Sequence, residues 1–433
     1  MATMPGTPVP KWGPYTDSAL RRYPSVGGRI PAILLRAFGT QKLASARANG
    51  RLGELPRPMV EPIAQAASEV ASGDLVESFP LGPWQAGDGN QTHINVNEVI
   101  AIRASELSSG GLAIHPLDHV NRNQSSNDTW PTVTHIALVS MLQETFGPAL
   151  KDLATELEAF AARHAETPKV GRTFLRDAHA TSVGAEFGGF AALLGDCLRQ
   201  VAPARETLLL VPQGGGAVGT GRGIHPDFAA AFAGELRAAT GQAFAAAPLP
   251  CACQVVDAAL LRVSHVAVEA SVICLKLSRD IELLASGPHC GLGELILPDT
   301  GPGSSSMAGK INPTHASMLE MMCMKVQANH AMVLASLSSA RLQLNTTYLL
   351  AACAVVESLE ALAQGVHLFA SQLVAPLQVD HQALARHVRQ GPGATFLRAR
   401  EVGYDAVAAG KPTTEPLAPT GSPDRHRPAA GDR

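Results

Sequence analysis

VVDAALLRVSHVAVEASVICLKLSRDIELLAS, residues 255–286, repeats apolar side chains at steps of three and four over about eight helical turns. A helix of that length and polarity needs partners along its whole span. The chain supplies them: similar patterns cover about 134–166, 181–204, 226–240, 314–343 and 346–375, and another runs from about Pro31 to Ala71 with polar breaks around Asn49–Gly53. Ala and Leu are abundant and aromatic residues make up only 4%. Small side chains of that kind suit close helix–helix packing, so the pattern predicts an all-α protein built on a long helix bundle.

The rest of the composition narrows the class. At 433 residues the chain is long enough for two or three domains, and 46% hydrophobic against 16% charged residues allows a large core with buried interfaces. The net charge is −3 with no basic block, which leaves nucleic acid without an electrostatic footprint. Seven cysteines show no metal-binding spacing, and the N-terminus MATMPGTPVPKWG has no apolar core of a secretory signal. No uncharged apolar run reaches the length of a membrane span. The expectation is a soluble cytoplasmic protein with reduced thiols and no membrane partner.

Between the helical patterns lie polar, Gly-rich stretches. FPLGPWQAGDGNQTHINVNEV (79–99) reads as a loop leading into VIAIRASEL, and HPLDHVNRNQSSNDTWP (115–131) ends in a good helix start near Asn127–Asp128. GRTFLRDAHATSVG (171–184), GGGAVGTGRGIHP (214–226) and GPGSSSMAGKINP (301–313) read as loops at the ends of the bundle. The expected layout is an N-terminal loop and helix domain over 1–116, a central bundle over 117–375, a short C-terminal domain over 376–410 and a disordered Pro- and charge-rich tail over 411–433.

The loop at 301–313 invites a chemical reading. A serine there could remove a proton from a carbon beside a carboxylate, and the resulting dianion would call for backbone N–H donors and a cation such as Lys310. The same residues would also serve a mobile surface loop with solvated serines. A phosphate-binding loop does not fit, because Lys310 is followed by Ile311 rather than Ser or Thr.

GPGSSSMAGKINPTH closely resembles the signature segment of the fumarase/aspartase superfamily. WQAGDGNQTHINVNEVIAIRASE, HPLDHVNRNQSSNDTWPT, GRTFLRDA, GGGAVGTGRGIHPDF and ASGPHCGLGE resemble further segments of that family in the same order, over about residues 12–409. GK before INP, QSSND and GTGRGIHP are most similar to class II fumarases. The resemblance implies an all-α, three-domain protomer whose long helices form a twenty-helix core in a homotetramer. Each active site would be shared between subunits and would take a small dicarboxylate, with no metal and no redox or organic cofactor. The implied chemistry is reversible anti β-elimination of water or an amine to give fumarate or an analogue.

Carried over by position, Ser304 matches the catalytic base, and Lys310 and Asn312 match contacts to the substrate carboxylate. Ser125, Ser126 and Asn127 match a segment that binds carboxylate and leaving group, and Thr173 matches a further substrate contact. Helix capping would explain Asn127 and Thr173 equally well. Several positions depart from the family. Phe174 stands where the family has a histidine, and Ser317 where it has the glutamate that supports that histidine. Asp88 and Asn90 replace small hydroxyl residues, His93 replaces an asparagine, and Leu117 replaces another in an accessory carboxylate site. At ~4 Å two like charges repel by roughly 4 kcal/mol at an effective dielectric near 20, so Asp88 disfavours a plain dianion and suits a substrate with a cationic group. His179, Arg222 and His93 are candidates to compensate for the missing histidine, with Arg176 and His315 nearby in sequence. Three readings follow: a lyase of altered substrate, an ordinary fumarate hydratase working poorly, and a non-catalytic homologue acting as an interaction subunit.

Overall fold

A computed structural model of the chain describes residues 11–108, 111–301, 303–393, 399–400 and 403–409, so the tail expected over 411–433 lies outside the described residues. Helices account for nearly all the regular structure. The N-terminal part carries α1 (Pro14–Arg22), α2 (Ala32–Arg51), α3 (Arg57–Ser72), α4 (Asn90–Leu107) and α5 (Ser126–Met141). A π-turn at Leu142–Phe146 joins α5 to α6 (Gly147–Arg163). Then come strands β1 (Pro168–Thr173) and β2 (Arg176–Ser182), α7 (Val183–Leu208), β3 (Leu210–Val211), α8 (Phe228–Thr240), β4 (Ala245–Ala246), α9 (Pro250–Val255) and α10 (Ala258–Leu284). The chain continues through β5 (Leu295–Ile296), α11 (Thr314–Ser338), α12 (Tyr348–Phe369), β6 (Gln378–Val379), α13 (His381–Gln390) and α14 (Tyr404–Ala408). This is the all-α architecture that the apolar spacing of 255–286 predicts.

The chain divides into two compact units. One comprises Met1–Lys151, Leu194–Leu275 and Met318–His367; the other comprises Asp152–Leu193, Lys276–Ser317 and Leu368–Arg433. In the first unit α2 packs on α3, α5 and α8, and α4 packs on α1 and α3. Leu34, Phe38, Ile63, Val96, Ile100 and Trp130 are buried there, each large apolar side chain contributing about 1.5–3 kcal/mol. Glu98 of α4 joins α1 to this core. Its carboxylate accepts the N–H groups of Tyr15 at 2.7 Å and Thr16 at 2.9 Å and the Thr16 hydroxyl at 2.6 Å. The free donors of a helix start are thus met by an anion from another helix.

Two elements differ from the sequence expectation. The loop read over 79–99 ends early, because α4 begins at Asn90. Gly89 adopts a left-handed φ of 73°, the Asp88 carboxylate accepts the Asn90 N–H at 3.2 Å, and Thr92, His93, Asn95 and Asn97 are buried. Tertiary burial overrides the weak helix preference of these asparagines. The loop read over 171–184 is mostly a β-hairpin. Thr173 pairs with Arg176 across a two-residue turn, Phe174–Leu175, whose φ values of 54° and 57° give the handedness that two-residue hairpin turns require.

In the second unit, α13 packs on β1, and β5 pairs antiparallel with β6. Glu294, beside β5, is buried and holds the hairpin through Arg172 at 2.7 Å and α13 through His387 at 2.8 Å, with Lys169 at 3.7 Å. Burial alone would raise its pKa, but Arg172, His387 and Lys169 outweigh it and hold the carboxyl below its ordinary value. Two helices, Ala258–Leu284 and Tyr348–Val374, are long and apolar enough by composition to cross a membrane. Their most apolar windows are 56% and 72% buried within the protein, as suits core helices.

Candidate active site

Helix α5 starts with a reciprocal cap. Ser125 Oγ accepts the Asn127 N–H at 3.3 Å, while the Asp128 carboxylate accepts the Ser125 N–H at 3.0 Å. With Ser125 and Asp128 serving the cap, the Asn127 amide is free to reach the Gly-rich stretch at 214–226, where it donates to the Ala217 carbonyl at 2.8 Å. Asp128 holds the same stretch, accepting from Gly214 N at 3.1 Å, Gly216 N at 2.8 Å and Gln213 Nε2 at 3.0 Å. Burial lifts the Asp128 carboxyl to about 6, and the backbone donors of Ser125, Gly216 and Gly214 oppose that rise.

The next residue, Ser126, faces α4. Its hydroxyl donates to Asn90 Oδ1 at 2.9 Å, and His93 Nδ1 lies 2.9 Å from Ser126 Oγ. The far ring nitrogen, His93 Nε2, is 2.7 Å from Lys42 Nζ on α2. Lys42 also donates to Gln124 Oε1 at 2.7 Å and Asn121 Oδ1 at 3.4 Å, so three acceptors meet the three N–H bonds of an ammonium. Both Lys42 and His93 are 1% exposed. Burial pushes Lys42 well below the ordinary lysine value, with the Asp128 charge opposing the shift. Burial, and then the charge of Lys42, hold His93 well below an ordinary histidine, which keeps the imidazole neutral near pH 7. A neutral ring that accepts at Nε2 carries its proton on Nδ1, pointing at Ser126.

The loop at 301–313 belongs to the second unit. Ser304 Oγ accepts two backbone N–H bonds, from Ser306 at 3.3 Å and Met307 at 3.0 Å. Such donors stabilise negative charge on the oxygen and make the serine easier to deprotonate. Gly303 lets the loop close on itself: a Cβ there would lie 2.3 Å from the Lys310 carbonyl oxygen. The Asn312 amide donates to the Gly303 carbonyl, and Lys310 is exposed.

The structure therefore brings Asn90, His93 and Ser126 into one hydrogen-bonded cluster beside Ser125 and Asn127, with Asp88 at the start of α4. It brings Ser304 and Asn312 together in one loop with Lys310. Thr173 is exposed at the end of β1, Phe174 is fully exposed at the hairpin tip, and Ser317 is exposed on α11. His179 lines a cavity of about 600 Å3 with Asp177 and Tyr404. Arg222 is exposed on the Gly-rich stretch. The sequence reading missed Lys42, Gln41, Gln124 and Gln213. Gln41 donates to Gln124 at 3.0 Å and to Gln213 at 2.8 Å, which completes the floor under the cluster. The available signal was a polar stripe, Gln41, Ser45 and Asn49 at four-residue steps on an otherwise apolar helix. Among the described residues, no group of three or more His, Cys, Asp or Glu is placed to hold a metal ion.

A helical fold that positions hydroxyl and amide groups at helix starts and in a glycine-rich loop defines a class of enzyme. The profile of a family described as lyase matches residues 10–328, and the chain belongs to that family. Within it the chain is a member of the fumarase/aspartase superfamily, close to the class II fumarases. It is 39% identical over 401 residues to fumarate hydratase class II 1 of Pseudomonas aeruginosa, covering 92% of this chain and 86% of that protein. It is 37% identical over 404 residues to the mitochondrial fumarate hydratase of Schizosaccharomyces pombe, covering 92% and 77%. Among solved structures, class II fumarase from Schistosoma mansoni superposes with a TM-score of 0.87 at 31% identity, covering 92% of this chain and 87% of that one. The native fumarate lyase:delta crystallin structure from Brucella melitensis gives 0.84 at 30% identity, covering 92% and 91%.

Proposed function

We propose that this lyase catalyses reversible anti β-elimination of water or an amine from a succinyl-type acid, with Ser304 as the base. The observation that carries this reading is the pair of backbone N–H groups, from Ser306 and Met307, directed at Ser304 Oγ. Ser304 takes the proton from the carbon beside a carboxylate; Lys310 and the loop N–H groups balance the charge that builds on that carboxylate; Asn312 holds it in place. Ser125, Ser126, Asn127, Thr173 and Asn90 contact the remaining polar groups of the substrate. Asp88 accepts an N–H at the start of α4, which satisfies one oxygen of its carboxylate and leaves its charge to favour an amine-bearing substrate.

A homotetramer with sites shared between copies is part of this reading, as is a cytoplasmic location. Val272 on α10 and Met321, Met324 and Leu334 on α11 are exposed apolar side chains that suit burial against further copies. Light scattering on a 45.1 kDa chain should then give four times that mass. The elimination itself is tested by absorbance at ~240 nm, where the conjugated product absorbs, with malate, aspartate and N-substituted aspartates and with Ser304→Ala as the control. Product from one of them that vanishes in Ser304→Ala supports the proposal. A folded assembly that turns over none of them sinks it.

A second reading, a non-catalytic homologue, is favoured by the exposed Phe174 and by Ser317, which supply neither the imidazole nor the supporting carboxylate that the resemblance places at these positions. A cellular phenotype unaffected by Ser304→Ala would choose this reading.

A further inference from the structure

The relay from Lys42 to Ser126 is buried at one end and open at the other. Lys42 and His93 are sealed from solvent, whereas Ser126 is half-buried at the start of α5 among Asn90, Ser125 and Asn127. The three links measure 2.7 Å from Lys42 Nζ to His93 Nε2, 2.9 Å from His93 Nδ1 to Ser126 Oγ, and 2.9 Å from Ser126 Oγ to Asn90 Oδ1. The imidazole is fixed in plane by Phe38, stacked on it at 5.8 Å with 28° between the rings, and Phe38 is braced edge-on by Trp130 at 4.9 Å. An amide at position 93 could also accept from Lys42, but it cannot take up a proton on one atom and release another from the opposite side. An imidazole does this readily.

We propose that Lys42 and His93 form a proton relay ending on Ser126 Oγ, which makes Ser126 the acid that protonates the leaving group. The inference rests on the elimination reading above. When the C–O or C–N bond breaks, its electron pair leaves with the heteroatom, which takes the Ser126 hydroxyl proton. Ser126 Oγ recovers a proton from His93 Nδ1, and His93 Nε2 recovers one from the Lys42 ammonium, which becomes a neutral amine. Solvent reloads the chain through Ser126 after the product departs, and addition runs the same steps in reverse. Lys42 and His93 position and recharge Ser126 without touching substrate. The charged groups facing the relay are Lys42 itself from α2 and Asp128 from α5, which attracts the ammonium; the other partners, Asn121, Gln124 and Asn90, are neutral. The relay needs Lys42 charged, so turnover falls as pH rises through the Lys42 pKa.

The test uses the full chain and whichever acid of the screen is turned over. In His93→Gln, kcat should fall about 10²–10⁴-fold with KM within about threefold, and the falling limb of kcat at high pH should disappear. Lys42→Met should behave likewise and regain activity with added methylamine. A folded His93→Gln enzyme that keeps both its kcat and its high-pH limb overturns the relay. If no acid is turned over, the elimination reading fails and Ser126's role as acid fails with it, and a neutron diffraction map still decides the proton order in the chain that the relay requires. Deuterium on His93 Nδ1 with three on Lys42 Nζ upholds it, and deuterium on Nε2 with a bare Nδ1 overturns it.

Discussion

Trp130 donates its indole N–H to the Gly89 carbonyl oxygen at 2.8 Å, and that bond ties the start of α4 to the start of α5. The residues that flank it, Asp88, Asn90 and His93 on one side and Ser125, Ser126 and Asn127 on the other, owe their proximity to this junction. Gly89 has a φ of 73°, and a Cβ there would lie 2.0 Å from Trp130 Nε1. Gly89→Ala should therefore destabilise the protein by about 3 kcal/mol and reduce turnover, as read by denaturant unfolding and steady-state kinetics. Gly28 has a φ of 84° but open space around it, so Gly28→Ala should cost only about 1 kcal/mol from backbone strain. Equal losses at the two sites would show that the junction itself matters little.

Lys310 is exposed in its loop. Lys310→Met should leave circular dichroism and the melting temperature unchanged while lowering kcat/KM about 10²–10³-fold, because the cation that balances the dianion is gone. Unaltered kinetics would remove Lys310 from the catalytic set.

Phe174 and Ser317 are both exposed, so changing them should not disturb the core. Phe174→His combined with Ser317→Glu should raise malate turnover at least about tenfold if a histidine–carboxylate unit at these positions supports hydration. Malate turnover that stays flat in the double variant would count against the ordinary hydratase reading.

His135 and Asp257 form a buried pair at 3.1 Å, and Asp257 also accepts from Tyr348 at 2.7 Å and Leu260 N at 3.0 Å. Burial opposes both charges. The Asp257 charge and the Leu210 carbonyl overcome it for His135, whose pKa is raised, and the His135 charge overcomes it for Asp257, whose pKa is lowered. The histidine contributes stability that is complete below its unfolded pKa of about 6.5 and lost as pH rises through its folded value. The aspartate contributes stability that is complete above about 3.9 and lost as pH falls through its folded value. Both terms are present from about pH 4 to 6.5. Asp257→Asn should lose about 3–5 kcal/mol in that window and much less at high pH, measured by urea unfolding across a pH series.

Periodicity made the long helices legible, since a repeat such as 255–286 has no other stable solution at that length. The base loop was legible because Ser304, Lys310 and Asn312 are close in sequence. The relay was not. Lys42 reads as a solvated charge on a helix, and its burial depends on His93 and Gln124, some fifty and eighty positions away. The start of α4 was hidden for a similar reason: asparagines that favour turns in isolation become helical when α4 packs on α1 and α3. The hairpin escaped notice because its turn residues, Phe and Leu, are poor at left-handed φ, where Asn-Gly would have announced it.

That turn has a consequence beyond the fold. Phe174 is 100% exposed and Leu175 is 72% exposed, and both sit in backbone conformations that disfavour side chains of their kind. Neither the hairpin's own energetics nor its hydration rewards a benzyl and an isobutyl group there; Asn-Gly would relieve the strain and remove apolar surface from water. The isolated chain would therefore gain stability and lose exposed apolar surface by giving these two residues up.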